Sequence, residues 1–221
     1  MSPLPTVFVI GSSTTLLFGP HLAQMLSGFY KYARKGDEPA EIKKALEDLD
    51  DPQGASAGDS SMVLDYLRAL DPADTFQPDI VLMHVGTHDI KKDVKTQTNQ
   101  VSLENYRKNV VAIVAWFARK KIKLIWIRNG PIDEVLHNTR SKNFHRFEAD
   151  LDAYNKAVEP ILEAQGVLML DLPGFMRNLG PLDELLKDHV HYKDETVKLQ
   201  AAFIAGYLIN LNQAKDESAA S

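Results

Sequence analysis

Four short apolar runs punctuate the chain: Thr6-Val-Phe-Val-Ile10, Pro78-Asp-Ile-Val-Leu-Met-His-Val85, Lys123-Leu-Ile-Trp-Ile127 and Val167-Leu-Met-Leu170. Each stops at a turn signal, in order Gly11, Gly86, Asn129-Gly-Pro and Asp171-Leu-Pro-Gly. Near-continuous apolar runs of this length are the pattern of strands buried on both faces, so they predict a parallel sheet. Between the runs the apolar period changes to that of a helix. Leu103, Tyr106, Val110, Ile113 and Phe117 share one face behind a Ser102 cap, and Phe147, Leu151, Tyr154, Val158, Ile161 and Leu162 share another before Gly166. Asp194 is placed as the cap of a last helix that buries Val197, Ala201, Ile204 and Leu208. Strands alternating with helices predict an α/β fold, a three-layer α/β/α sandwich with helices on both faces of the sheet. The stretch from Lys31 to Asp51 is charged and helix-like without a strand signal, so a second strand is expected near the polar stretch Gly54–Ser61.

Length and composition narrow the class. With 221 residues and no internal repeat, one domain is expected over residues 1–212, with a polar tail, 213–221, left disordered. The charge of 25 Lys+Arg against 30 Asp+Glu, with no basic stripe, gives a phosphate-tracking nucleic-acid binder little support. The absence of cysteine excludes disulfides, thiolate zinc sites and a cysteine nucleophile. The longest membrane candidate, Val110–Ala118, falls short of the roughly 20 apolar residues a spanning helix needs. Val7–Ile10 runs straight into Gly-Ser-Ser-Thr-Thr without a leader pattern, so a cytoplasmic location is expected.

The chemistry is expected where strands end. In an open parallel sheet the C-terminal ends of the strands share one edge, which brings Gly11-Ser12-Ser13-Thr14, Gly86-Thr87-His88-Asp89 and Asn129-Gly130-Pro131 into one crevice. Just before the last helix stands Asp188-His189-Val190-His191, in which Asp188 and His191 are spaced to meet across one turn. A carboxylate beside a neutral imidazole fixes its tautomer and stabilises the cation formed when it takes a proton from a hydroxyl.

These pieces, in this order, resemble the four blocks of the SGNH-hydrolase superfamily, the GDSL-type lipases and esterases. Gly11-Ser12-Ser13 resembles its Gly-Asp-Ser block, and Gly54–Ser61 its glycine block. Gly86-Thr87-His88-Asp89 stands where the family has Gly-x-Asn-Asp, and Asp188-x-x-His191 matches Asp-x-x-His. Asn155 and Asp171 also sit where family members often carry the same residues. The resemblance implies a flavodoxin-like sheet and a serine esterase acting on small acyl esters, such as acetylated sugars or short-chain esters, with thioesters and lysophospholipids open. Ser13 would be the nucleophile, His191 the base and Asp188 its orienter. The N–H groups of Ser13 and Gly58, with the His88 side chain, would hold the oxyanion. No metal or organic cofactor is implied; the expected partner is a small-molecule ester substrate, with no nucleic acid and no membrane, and the oligomeric state is left open. Three departures stand out: Ser12 for the family's Asp, His88 for the oxyanion Asn, and Tyr192 for the Pro that commonly follows the catalytic His. Losing one oxyanion donor costs roughly 10²- to 10³-fold in rate.

Other readings compete. Ser12, Ser13 and Thr14 would also serve as a helix cap, with Ser12 a fallback nucleophile. His84, inside a strand, reads as a satisfied core histidine, and His189 as either a pocket or a loop residue. Trp116 and Phe117 read as core. Lys91, Lys92 and Lys95 read as a solvated loop. A metal-dependent hydrolase would use His84, His88 and Asp89, although His84 and His88 lie about 13 Å apart on an extended chain. A degenerate family member that binds an acyl or sugar ligand without turnover is the main alternative. A nucleotide module lacks both the Gly-x-Gly-x-x-Gly and the phosphate-loop patterns. Loops Lys31–Asp51 and Gly130–Phe144 are expected to shape the acyl pocket.

Overall fold

The computed structural model describes residues 3–73 and 75–220. In chain order its elements are β1 (Thr6–Gly11), α1 (Ser13–Met25), β2 (Lys31–Arg34), α2 (Pro39–Glu47), α3 (Ser60–Leu70), β3 (Ile80–His84), β4 (Lys92–Asp93) and α4 (Leu103–Lys120). They continue with β5 (Lys123–Ile127), α5 (Glu134–Arg140), β6 (Phe144–His145), α6 (Glu148–Ala164), β7 (Leu168–Leu170), α7 (Leu172–Arg177), α8 (Leu182–Leu185) and α9 (Asp194–Ala220). The main sheet has five strands in the order β2-β1-β3-β5-β7, all pairs parallel, while β4 and β6 form a small antiparallel pair.

Strand alternation builds the layers. Ile10, Val81, Met83 and Trp126 face one way, onto α3, α4 and α6, where Leu67, Tyr106, Val110, Phe117, Tyr154 and Leu162 are buried. Val7, Val9, Leu82 and Ile125 face the other way, onto α1, α7 and α9, where Phe18, Leu22, Met176, Ala201 and Ile204 are buried. Each fully buried Val, Leu, Ile or Phe contributes roughly 1.5–3 kcal/mol, so the two cores outweigh the weak propensities of the short strands. The three-layer α/β/α fold follows. Trp116 and Phe117 belong to the core, and Ser102 caps α4 by accepting from the Asn105 N–H.

Two expectations are corrected. The second strand is Lys31–Arg34, not the stretch 54–61, which is a loop leading into α3. An edge strand needs burial on fewer positions, and Lys31-Tyr-Ala-Arg34 has no apolar run to announce it. It is recognised by its register, Thr6 opposite Lys31 through Val9 opposite Arg34. The helical backbone of α9 runs on to Ala220. Ser221 lies outside the described residues. Asp194 opens α9 from within, where its carboxylate meets Lys198 at 2.6 Å and His21 at 3.2 Å instead of capping. No helix among the described residues is long and apolar enough to cross a membrane.

The strand order reverses between β1 and β3, and the loops that leave those strands open a crevice at their C-terminal ends.

Candidate active site

Ser13 is the first residue of α1, two residues beyond the end of β1, and is 6% exposed. Its Oγ lies 3.0 Å from His191 Nε2. His191 Nδ1 lies 2.9 Å from Asp188 Oδ2. An ionised carboxylate only accepts, so Nδ1 carries the proton and Nε2 is left as the acceptor for the Ser13 hydroxyl. Asp188 is itself fixed: its Oδ1 accepts from the backbone N–H groups of Val190 at 2.8 Å and His191 at 2.7 Å. Burial works to raise its pKa, but the hydrogen bonds from His191 and these N–H groups prevail and hold the carboxyl well below the ordinary range. First loop and last loop thus meet in one hydrogen-bonded relay. Ser12, the fallback, is the residue before α1, and its carbonyl accepts from the Thr15 hydroxyl at 2.8 Å; it is Ser13 that faces His191.

The two middle blocks join this relay through backbone ties. The Ala57 N–H donates to the Gly11 carbonyl at 2.9 Å, which lays the Gly58 loop along the end of β1 beside the Ser13 turn. Gly58 has φ +69°, and a Cβ there would fall 2.4 Å from Met62 Sδ, so glycine serves both the backbone and the fit. Asp89 accepts from the Ser60 N–H at 3.0 and 3.1 Å and from the Ser60 hydroxyl, locking the Gly86–Asp89 loop onto the start of α3. Burial raises Asp89 to about 7 even though the Ser60 bonds oppose the shift. Gly86 has φ +133°, and a Cβ there would fall 2.4 Å from Asn129 Nδ2. That Nδ2 donates to the Val85 carbonyl at 2.9 Å, and the Asn129 backbone exchanges 3.2 Å bonds with the Asn155 side chain. Asn155 therefore acts through Asn129, as a brace for the third block. Asp171 serves elsewhere, accepting from the Gly174 N–H at 3.2 Å and from Arg128 at 3.1 Å. Tyr192, in the place of the family's Pro, donates from its hydroxyl to the Pro131 carbonyl at 2.9 Å and ties the His191 loop to the loop after β5.

His88 is 1% exposed, and its Nδ1 is buried with no hydrogen-bond partner among the described residues. Burial, reinforced by Lys91 and Arg146, holds its pKa well below the ordinary value, so the ring is neutral and keeps one N–H to donate. His84 is buried as expected but not satisfied: its Nδ1 has no partner among the described residues, and burial lowers its pKa to about 4. The metal alternative finds no support in this geometry. Asp89 is spent on Ser60, and no group of three His, Asp or Glu side chains among the described residues is arranged to hold an ion.

Sequence reasoning missed several neighbours. Lys91 is buried rather than solvated, donating from Nζ to the Asp50 carbonyl, and burial lowers its pKa to about 8. Lys92 pairs with Asp150 at 2.8 Å. Arg146 is 1% exposed, with Nε–H donating to the Thr87 carbonyl at 3.1 Å and Nη2 to Asp50 Oδ1 at 3.0 Å. His189 is half-buried, its Nδ1 2.8 Å from that of His137, which burial drives to about 4. The only signal for Arg146 in the sequence is its place between Phe144 and Phe147.

Comparison with known proteins bears on the family and the fold. Residues 9–199 match the family model described as the GDSL-like Lipase/Acylhydrolase family. Among solved structures, the chain is similar to an acetyl xylan esterase, AlAXEase (17% identity, 91% of this chain and 98% of that one, TM-score 0.66). It is also similar to a GDSL-like lipase from Bacteroides thetaiotaomicron (16%, 95% and 91%, 0.62). A third similar structure is the psychrotrophic esterase EstA from Pseudoalteromonas sp. (11%, 93% and 97%, 0.60). At these identities the likeness is one of fold. A search of curated proteins finds no match. With its parallel sheet, its strand-end blocks and a family match over most of its length, the chain belongs to the GDSL-like lipase/acylhydrolase family of SGNH hydrolases, enzymes that cleave ester bonds.

Proposed function

We propose that this hydrolase is a serine esterase that cleaves small acyl esters through Ser13, His191 and Asp188. The observation that carries the reading is the continuous relay from Ser13 Oγ through the His191 ring to Asp188, 3.0 and 2.9 Å per link. Ser13 Oγ attacks the ester carbonyl carbon as its proton passes to His191 Nε2. Asp188 stabilises the resulting imidazolium without itself taking the proton. The carbonyl oxygen becomes an oxyanion held by the Ser13 N–H at the positive end of α1, the Gly58 N–H and the neutral His88 ring. Collapse breaks the bond to the alcohol, which leaves with the proton from His191. Water, deprotonated by the same imidazole, then attacks the acyl-Ser13 ester and releases the acid. Neither step calls for a metal or organic cofactor.

Small acyl groups, as in acetylated sugars or short-chain esters, are the proposed substrates; one similar structure is described as an acetyl xylan esterase. A cytoplasmic site of action goes with this reading. The test is turnover of p-nitrophenyl acetate by pure protein in chelator, abolished in Ser13→Ala. Retention of activity in that variant would overturn the assignment, and ligand binding without acyl release would mark a binding protein instead.

A further inference from the structure

Beside the relay lies a pair of buried cations that the ester chemistry does not use. Arg146 spends Nε on Thr87 and Nη2 on Asp50, and its Nη1 is buried without a hydrogen-bond partner among the described residues. Lys91 reaches the same residue from the other side, with Nζ on the Asp50 carbonyl. Both cations lie against one aromatic ring, Lys91 Nζ at 4.7 Å and Arg146 Cζ at 4.9 Å from the centre of Phe144. Two positive charges thus gather at Asp50, Arg146 on its carboxylate and Lys91 on its main-chain carbonyl. Asp188, the other acid whose charge Arg146 feels, is already engaged by His191 and two backbone N–H groups. A buried guanidinium N–H left unpaired is costly, and a carboxylate meeting two of its N–H groups side by side is the arrangement that best removes the cost.

Asp50 meets Arg146 through one oxygen only, and its side chain is 32% exposed. The loop behind it is pinned: Lys35 Nζ donates to the Gly54 and Ser56 carbonyls at 2.7 and 2.9 Å, and Arg34 to Ala55 at 3.3 Å. Among the described residues, Asp50 itself is hydrogen-bonded to Asp48, through its N–H at 2.9 Å, and to the two cations. The place is also next to the chemistry. Arg146 holds the carbonyl of Thr87, the neighbour of His88, and Asp50 is close enough to His191 for their charges to interact.

We propose that Arg146 and Lys91 form a subsite for a carboxylate carried by the ester substrate, and that Asp50 occupies this subsite until the substrate's carboxylate displaces it. The inference rests on Ser13 being the nucleophile, and it makes esters of acidic compounds the preferred class. Arg146 and Lys91 are binding residues; neither takes part in the acyl transfer. Displacement adds a second hydrogen bond, on Nη1, that Asp50 does not make.

The experiment compares kcat/KM for monoethyl succinate against diethyl succinate, and for 4-acetoxybenzoate against its methyl ester. It uses the full chain, Lys91→Met and Asp50→Asn. The expected result is a preference for the charged member of at least one pair. That preference falls about tenfold in Lys91→Met, mainly through KM, and rises severalfold in Asp50→Asn, where the competing carboxylate is gone. Equal ratios in all three proteins would overturn the proposal. If the chain turns over none of these esters, the esterase reading fails by itself, and calorimetric titration with succinate and 4-hydroxybenzoate decides the subsite. Binding that tightens in Asp50→Asn upholds it, and no binding of either anion in either protein refutes it.

Discussion

Replacing Asp188 with Asn is the sharpest test of how the relay is held together. Asp188 Oδ1 is committed to two backbone N–H groups at 2.8 and 2.7 Å, and Oδ2 to His191 Nδ1 at 2.9 Å. In the amide, the single oxygen stays on the two N–H groups, because turning it toward the ring would strand both donors at roughly 1–3 kcal/mol each. The NH₂ group then faces Nδ1 and donates to it. His191 is driven into the tautomer with its proton on Nε2, where it cannot accept from Ser13 at 3.0 Å. The geometry survives while the base is lost. A wrong-tautomer substitution in an unrelated serine hydrolase costs about 10⁴-fold, roughly 5.4 kcal/mol of transition-state stabilisation, and the same order is expected here in kcat/KM for p-nitrophenyl acetate. Circular dichroism and thermal melting should stay near those of the parent, since all three bonds at residue 188 find a partner. Activity within tenfold of the parent would show instead that the imidazole needs no carboxylate to set its tautomer.

Two further outcomes are expected. His88→Ala should lower kcat/KM by about 10²- to 10³-fold, and His88→Asn should recover it to within tenfold of the parent or better; equal loss in both variants would mean that the ring has a task other than donating one N–H. His84 carries a pH signature in stability: its folded pKa of about 4 lies below its unfolded value near 6.5, so its contribution is intact above pH 6.5 and is lost as pH falls toward 4. Against His84→Gln, which cannot titrate, the parent should lose on the order of 2.5 kcal/mol between pH 7.5 and 4.5 in urea unfolding, and parallel profiles for the two proteins would contradict this.

How much of this was legible in the sequence follows from where each residue's neighbours lie. The runs at 6–10, 78–85, 123–127 and 167–170 announce β1, β3, β5 and β7, because a strand covered on both faces must be apolar at successive positions. Strand β2 has one sheet neighbour and a charged composition, so its pairing with β1 decides its existence, and pairing is not written locally. Ser13, Asp188 and His191 are legible because strand ends share one edge and because Asp188 and His191 are near in sequence. Arg146 and Lys91 were not legible. Each is an ordinary surface residue by type, and each is buried by partners far along the chain, Asp50 and Thr87 for Arg146 and Asp50 for Lys91.

The most direct measurement is labelling with a fluorophosphonate followed by mass spectrometry of the peptides. A single stoichiometric adduct on Ser13 is expected, absent in Ser13→Ala and strongly slowed in His191→Ala. An adduct on Ser12 or at another site, or none at all on protein that hydrolyses p-nitrophenyl acetate, would contradict it.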